Sequence, residues 1–141
     1  MVTASAQWTD RERFLGIASS GHAIVADAGE HKTANSPMEL VLIGLCSCTA
    51  SDIVNILRKK REHFTSLEVR AEAERASTVP MVYTEIKLVY RVGGKVSRKA
   101  VEDAVNLSEE KYCSVSGMLQ KTAKITTTIE YVDEEVAVAQ K

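Results

Sequence analysis

Three cysteines are the residues of this chain best suited to covalent chemistry: Cys46 and Cys48 within LIGLCSCTASD, and Cys113 within EEKYCSVSGML. A free cysteine is among the most buried residue types, so each has a packing role to set beside any chemical one. Metal binding fits poorly. Cys46 and Cys48 lack a C-x-x-C spacing, and two helix residues two apart point about 200° away from one another. The same divergence keeps that pair from joining to each other. Cys48 is the better candidate, because Gly44 one turn back leaves room above it and Asp52 lies one turn on. Cys113 stands where a short helix is predicted to open, a position that lowers thiol pKa values by stabilising the thiolate. One thiol in mid-helix and one at a helix start would suit peroxide reduction. The first thiolate attacks the O–O bond and becomes a sulfenic acid, and the second condenses with it to a disulfide. That requires Cα atoms under about 7 Å apart. It also requires a cation for the thiolate, and outside the basic helix end Arg11 and Arg13 are available.

The element that must position this chemistry is SPMELVLIGLCSCTASDIVNILRKKREHF, residues 36–64. Ile53, Val54, Ile56 and Leu57 alternate with Asp52, Asn55, Arg58 and Lys59 in a 3.6-residue amphipathic pattern. Ser36 is an acceptable N-cap, and Pro37 suits a first helical turn. The cluster RKKR suits a helix C-terminus and reads as a solvated end, with His63 belonging to it. Small residues between Gly44 and Ser51 let another backbone approach closely, and the helix is apolar on more than one face. A second copy of the chain is the economical cover, so a tight homodimer is expected.

Around the helix, residues 7–27 read as two or three short strands containing Arg11 and Arg13, with a turn at Ser19-Ser20-Gly21. Residues 28–36 are loop-like; His22 and His31 read as turn or loop residues, and the single tryptophan, Trp8, as an anchor for the first strand. SLEVRAEAERA and MVYTEIKLVYRVGG alternate with period two and predict two strands about Pro80, the second closed by Gly93-Gly94. VSRKAVEDAVNLSEEKY predicts an amphipathic helix with Ala100, Val101, Ala104 and Val105 inward. A short helix from near Ser114 follows, then a strand carrying Ile125, Thr127, Ile129 and Tyr131 on one side. The tail EEVAVAQK is expected to fray. Strands mixed with a few helices, without strict alternation, argue for an α+β fold in one domain, residues 1–141.

Composition narrows the function classes. A 141-residue chain with 45% hydrophobic and 26% charged residues is that of an ordinary globular domain. A net charge of −1 gives no reason to expect nucleic acid or an anionic membrane. The apolar run Leu40–Cys46 is too short to span a bilayer, and the N-terminal MVTASAQWTDRERF lacks a basic start and apolar core, so no export signal is expected. Three cysteines without such a signal fit a reducing cytoplasm.

PMELVLIGLCSC followed by EEKYCSVSGML resembles the osmotically induced protein C and organic hydroperoxide resistance (OsmC/Ohr) family, over nearly the whole chain. The resemblance implies an intertwined α+β homodimer, with antiparallel sheets packed around a long central helix and two active sites at the subunit interface. It further implies reduction of organic hydroperoxides by a dithiol, with no metal or other cofactor. By position Cys48 matches the peroxidatic cysteine and Cys113 the resolving one, and Arg13, chosen over Arg11, matches the thiolate-stabilising arginine. Active relatives carry an acidic residue directly after the helix-opening proline. Here that position is Met38, and the carboxylate comes one later at Glu39, about 180° round the helix from Cys48. Glu39 is therefore expected to position the arginine only from a bent helix start or through a bridging arginine. Tyr112 can wall a substrate pocket or pack in the core. The alternatives are a non-catalytic binder of a small apolar or thiol-reactive ligand on the same fold, and a structural dimer with inert cysteines.

Overall fold

The structure, a computed structural model, describes residues 1–132; residues 133–141, and with them the EEVAVAQK tail, lie outside the described residues. The chain divides into two compact units, Met1–Ile43 and the segment from Gly44 on.

The first unit is an antiparallel three-stranded meander, β1 (Ala4–Asp10), β2 (Arg13–Ala18) and β3 (Ala23–Asp27), in that spatial order. The Ser19-Ser20-Gly21 turn is as expected, with Gly21 at φ +87°. The other hairpin turns at Arg11, which takes φ +46°, so Arg11 leaves the strand in which the pattern placed it. Trp8 anchors β1 to this turn, its Nε1 donating to the Arg11 carbonyl at 2.8 Å. Asp27 closes β3 and organises the loop beyond it. Its carboxylate is buried and accepts from the Gly29 amide (2.8 Å), the Thr33 amide (2.9 Å) and the Thr33 hydroxyl (2.7 Å). The backbone bond from Thr33 leads the causes that lower its pKa to about 2.

The long helix α1 spans Pro37–Lys59. A reciprocal capping box opens it: Ser36 Oγ accepts from the Glu39 amide at 3.2 Å, and Glu39 Oε1 accepts from the Ser36 amide at 2.9 Å. Arg61, at φ +58°, ends it, and His63 begins the next strand rather than finishing the helix. By length and hydropathy α1 would suffice to cross a membrane, more than the short run Leu40–Cys46 led one to expect. In the second unit, however, its stripe Leu45, Thr49, Ile53 and Leu57 is fully buried, as in a core helix.

The second unit has a sheet ordered β4 (His63–Arg75), β5 (Tyr83–Lys95) and β6 (Lys124–Val132). β4 and β5 pair antiparallel, but β6 runs parallel to β5, so this sheet is mixed where antiparallel sheets were expected. The reason is the connection: α2 (Arg98–Leu107), a single π-helical turn (Ser108–Tyr112) and α3 (Ser114–Leu119) form a crossover long enough to bring the chain back alongside. Central β5 reads as a buried strand, with Leu88, Val89, Tyr90 and Val92 consecutive or nearly so in the core. Gly94 sits inside β5, at φ +101°; a Cβ there would lie 2.8 Å from both the His63 carbonyl oxygen and the Thr65 nitrogen, beside a register shift in β4. α2 is capped by Ser97 and buries Ala100, Val101, Ala104 and Val105, as the pattern predicts.

The capping box makes a direct prediction. Ser36→Ala removes the acceptor for the Glu39 amide and is expected to lower stability by about 1 kcal/mol in urea unfolding; an unchanged midpoint and slope would show that the cap contributes nothing.

Candidate active site

The second unit brings Cys48 and Cys113 together: the Cys48 side chain is a hydrogen-bonding neighbour of the Cys113 thiol. Three local features arrange this. The buried stripe of α1 fixes the rotation of the helix and leaves Cys48 and Asp52, one turn apart, along one flank. Asp52 Oδ2 accepts a 2.9 Å hydrogen bond from the buried Ser108 hydroxyl, tying that flank to the π turn. The π turn then closes with the Cys113 amide donating to the Ser108 carbonyl at 2.8 Å, which sets Cys113 facing the helix.

Cys113 is the N-cap of α3, and its Sγ accepts from the Ser116 amide at 3.3 Å. A lowered thiol pKa was expected there; the structure gives the opposite. Cys113 is only 5% exposed, and burial, ahead of the Ser116 bond that opposes it, pushes the thiol up to about 11. The neighbouring Cys48 and Asp52 add to the rise. One amide of a six-residue helix does not offset the loss of water around a thiolate. Cys48 is half-buried and so more open than Cys113. Cys46, on another side of α1, is also half-buried, and burial raises its pKa.

Arg13 and Glu39 belong to the first unit, where each has its own partners. The Arg13 guanidinium pairs with Asp10, with Nε donating to Oδ1 at 2.9 Å, and reaches the Thr33 hydroxyl at 3.4 Å. The hydrogen bond to Asp10 is the main cause that raises its pKa. Glu39 is held in the capping box, and its bonds with Ser36 lower its pKa. Among the described residues no ion pair joins Arg13 to Glu39.

A cavity of about 340 Å³ opens along the same flank, with Asp52, Asn55, Ile56, Lys59, Leu107 and Tyr112 among its lining residues. Tyr112 is half-exposed and lines this cavity rather than packing in the core. Sequence reasoning missed Ser108. Ser108 lies 56 residues from the Asp52 it bonds, and no local pattern signals such a pairing. The capping box was legible as S-x-x-E at Ser36–Glu39.

A family model described as OsmC-like protein matches residues 29–128. The chain belongs to the OsmC-like family. Protein YhfA of Escherichia coli K12 is 42% identical over 132 residues, which cover 93% of this chain and 98% of that protein. Among solved structures, a hypothetical protein from Aquifex aeolicus is 33% identical with a TM-score of 0.87, covering 95% of this chain and 98% of that one. The organic hydroperoxide resistance protein OhrB of Bacillus subtilis shares the fold at a TM-score of 0.66 with 13% identity, covering 92% of this chain and 98% of its own. The OsmC-like membership and the α+β fold are thus as the cysteine motifs suggested.

The raised Cys113 pKa has a measurable sign. In the unfolded chain the thiol ionises near its ordinary value of 9.0, whereas in the folded protein it stays neutral until about 11. Its contribution to stability is full below 9.0 and is lost as pH rises through about 11. At pH 9 to 10, iodoacetamide followed by mass spectrometry is expected to label Cys113 much more slowly in native protein than in urea; equal rates would mean that the thiol is solvated.

Proposed function

We propose that this OsmC-like protein is a cysteine-based peroxidase that reduces organic hydroperoxides through Cys48 and Cys113. The observation that carries the reading is the approach of two cysteine side chains 65 residues apart in the sequence, one half-open and one buried. In the first step Cys48 thiolate attacks the peroxide oxygen, the O–O bond breaks, and the alkoxide takes a proton and leaves as an alcohol. Cys48 is then a sulfenic acid. Cys113 sulfur attacks it, giving the Cys48–Cys113 disulfide and releasing water. A dithiol returns both cysteines to thiols and leaves as its own disulfide.

Arg13 is the cation in this reading, held ready by Asp10 and Thr33, and Glu39 contributes by fixing the start of the helix that carries Cys48. The site needs no metal or organic cofactor. The functional unit is a cytoplasmic homodimer with two sites at its subunit interface. Exposed Val41 and Ile43 on α1, and exposed Ile17, Ile24 and Val25 in the N-terminal meander, support a second copy as their cover. The organic hydroperoxide resistance for which OhrB is named, together with the family membership, favours the same substrate class.

A second reading is a binder for a small apolar or thiol-reactive ligand. It is favoured by the 340 Å³ cavity on the Asp52 flank of α1 and by Met38 at the position after the proline.

Peroxide-driven thiol loss separates the two. Reduced protein mixed with cumene hydroperoxide is expected to lose two thiols as a Cys48–Cys113 disulfide. Cys48→Ser should abolish the loss, and Cys113→Ser should stop at a Cys48 sulfenic acid that dimedone traps. Survival of all three thiols in excess hydroperoxide would sink the peroxidase reading and leave the binder.

A further inference from the structure

The cavity of about 340 Å³ on the Asp52 flank joins an apolar wall to an uncommitted positive charge. Asp52, Ile56 and Lys59 stand four and seven residues along α1, so they share one face of the helix over two turns, about 10 Å. Leu107, the last residue of α2, and Tyr112, the last of the π turn, line the cavity with them. Both are exposed apolar side chains, Tyr112 at 50%. At one end Asp52 already accepts from the buried Ser108 hydroxyl. At the other end Lys60 pairs with Asp103 at 3.8 Å, and Asp103 also holds Lys99 at 3.3 Å. Among the described residues no carboxylate pairs with Lys59. Lys111 adds to the positive charge, its Nζ 5.4 Å from the centroid of the Tyr112 ring. Larger cavities elsewhere are charged differently. The one on the second unit's sheet is lined by Glu72, Glu74 and Glu85 as well as lysines, and the one on the N-terminal meander has no lysine or arginine.

We propose that this cavity binds a small aryl carboxylate, with its ring against Tyr112, Ile56 and Leu107 and its carboxylate on the Lys59 ammonium. The inference deepens the binder reading above and requires neither thiol. A volume of 340 Å³ lies at the lower end of small-ligand sites, which span roughly 300–1,000 Å³, so the ligand is small. Removing its ring from water against apolar walls supplies most of the affinity, and the exposed Tyr112 ring favours an aromatic body over an alkyl one. Lys59 is a compact charge at the solvent edge, so it selects a negative head group more than it tightens binding. Asp52 limits that charge to one. A second negative group reaching back along α1 would meet its carboxylate. The two turns between Asp52 and Lys59 suit a phenyl ring on a short alkyl arm.

The test titrates hydrocinnamate into the reduced full-length protein without peroxide, so its outcome does not depend on the thiols. Ligand-observed NMR is expected to show saturable binding at pH 7, with the neutral hydrocinnamyl alcohol about threefold to fivefold weaker, the worth of one exposed ion pair. Lys59→Gln should remove that preference and Lys59→Arg should keep it. High salt should shrink it by screening. Tyr112→Leu keeps an apolar wall without the ring, and is expected to weaken acid and alcohol alike by about threefold or more. Lys59 and Tyr112 are both exposed, so urea unfolding of these variants is expected to match wild type, which separates lost binding from a lost fold. Absence of saturable binding would overturn the proposal, as would equal affinity of wild type for acid and alcohol. Binding that ignores both Lys59→Gln and Tyr112→Leu would also overturn this site, while leaving the binder reading to another part of the fold.

Discussion

Burial of the stripe Leu45, Thr49, Ile53 and Leu57 is the constraint on which the second unit depends. Four residues spaced by four drift round the helix by about 40° per step, so their burial fixes a broad face and with it the rotation of α1. Once that face is inside, the flank holding Cys48, Asp52, Asn55, Ile56 and Lys59 must lie at the edge of the core. There Asp52 meets Ser108, the π turn follows, and Cys113 is delivered against Cys48. The placement of the two thiols is thus a by-product of apolar packing, pinned at one point by a hydrogen bond.

The same packing sets the electrostatics. A thiol at a helix N-cap and a thiol in a dry core are pushed in opposite directions, and in this fold dryness dominates for Cys113. Two cysteines of unlike exposure are useful to each other. In the proposed peroxidase cycle the more open one meets the substrate, while the closed one is kept from outside oxidants beside its partner. Burial likewise leads the causes that raise the pKa values of Tyr90 and Glu109.

In the first unit, polar bonds do the work that apolar burial does in the second. Asp27 gathers two amides and a hydroxyl and gives the 28–36 loop its shape. Thr33 serves both Asp27 and Arg13, and so links the loop to the guanidinium that Asp10 holds from the other side. The capping box then starts α1 at Pro37. Glu39 acts on the backbone there, within the first turn of its own helix.

Much of this was legible in the chain. Period-two and period-3.6 patterns marked the strands and helices, the inward face of α2 and the alternation of β6, because one-sided burial leaves its mark every two or every three to four residues. The cysteine motifs marked the family. What the patterns could not carry was anything that depends on residues distant in sequence. The parallel seat of β6, the Asp52–Ser108 bond, the orphaned Tyr90 hydroxyl and the sign of the Cys113 pKa shift all arise between elements brought together only on folding. Sequence determined which residue types were available and which faces they lined. Tertiary structure decided which of them meet and how dry they are when they do, because desolvation and side-chain contact are properties of the packed interior, not of any local stretch of chain.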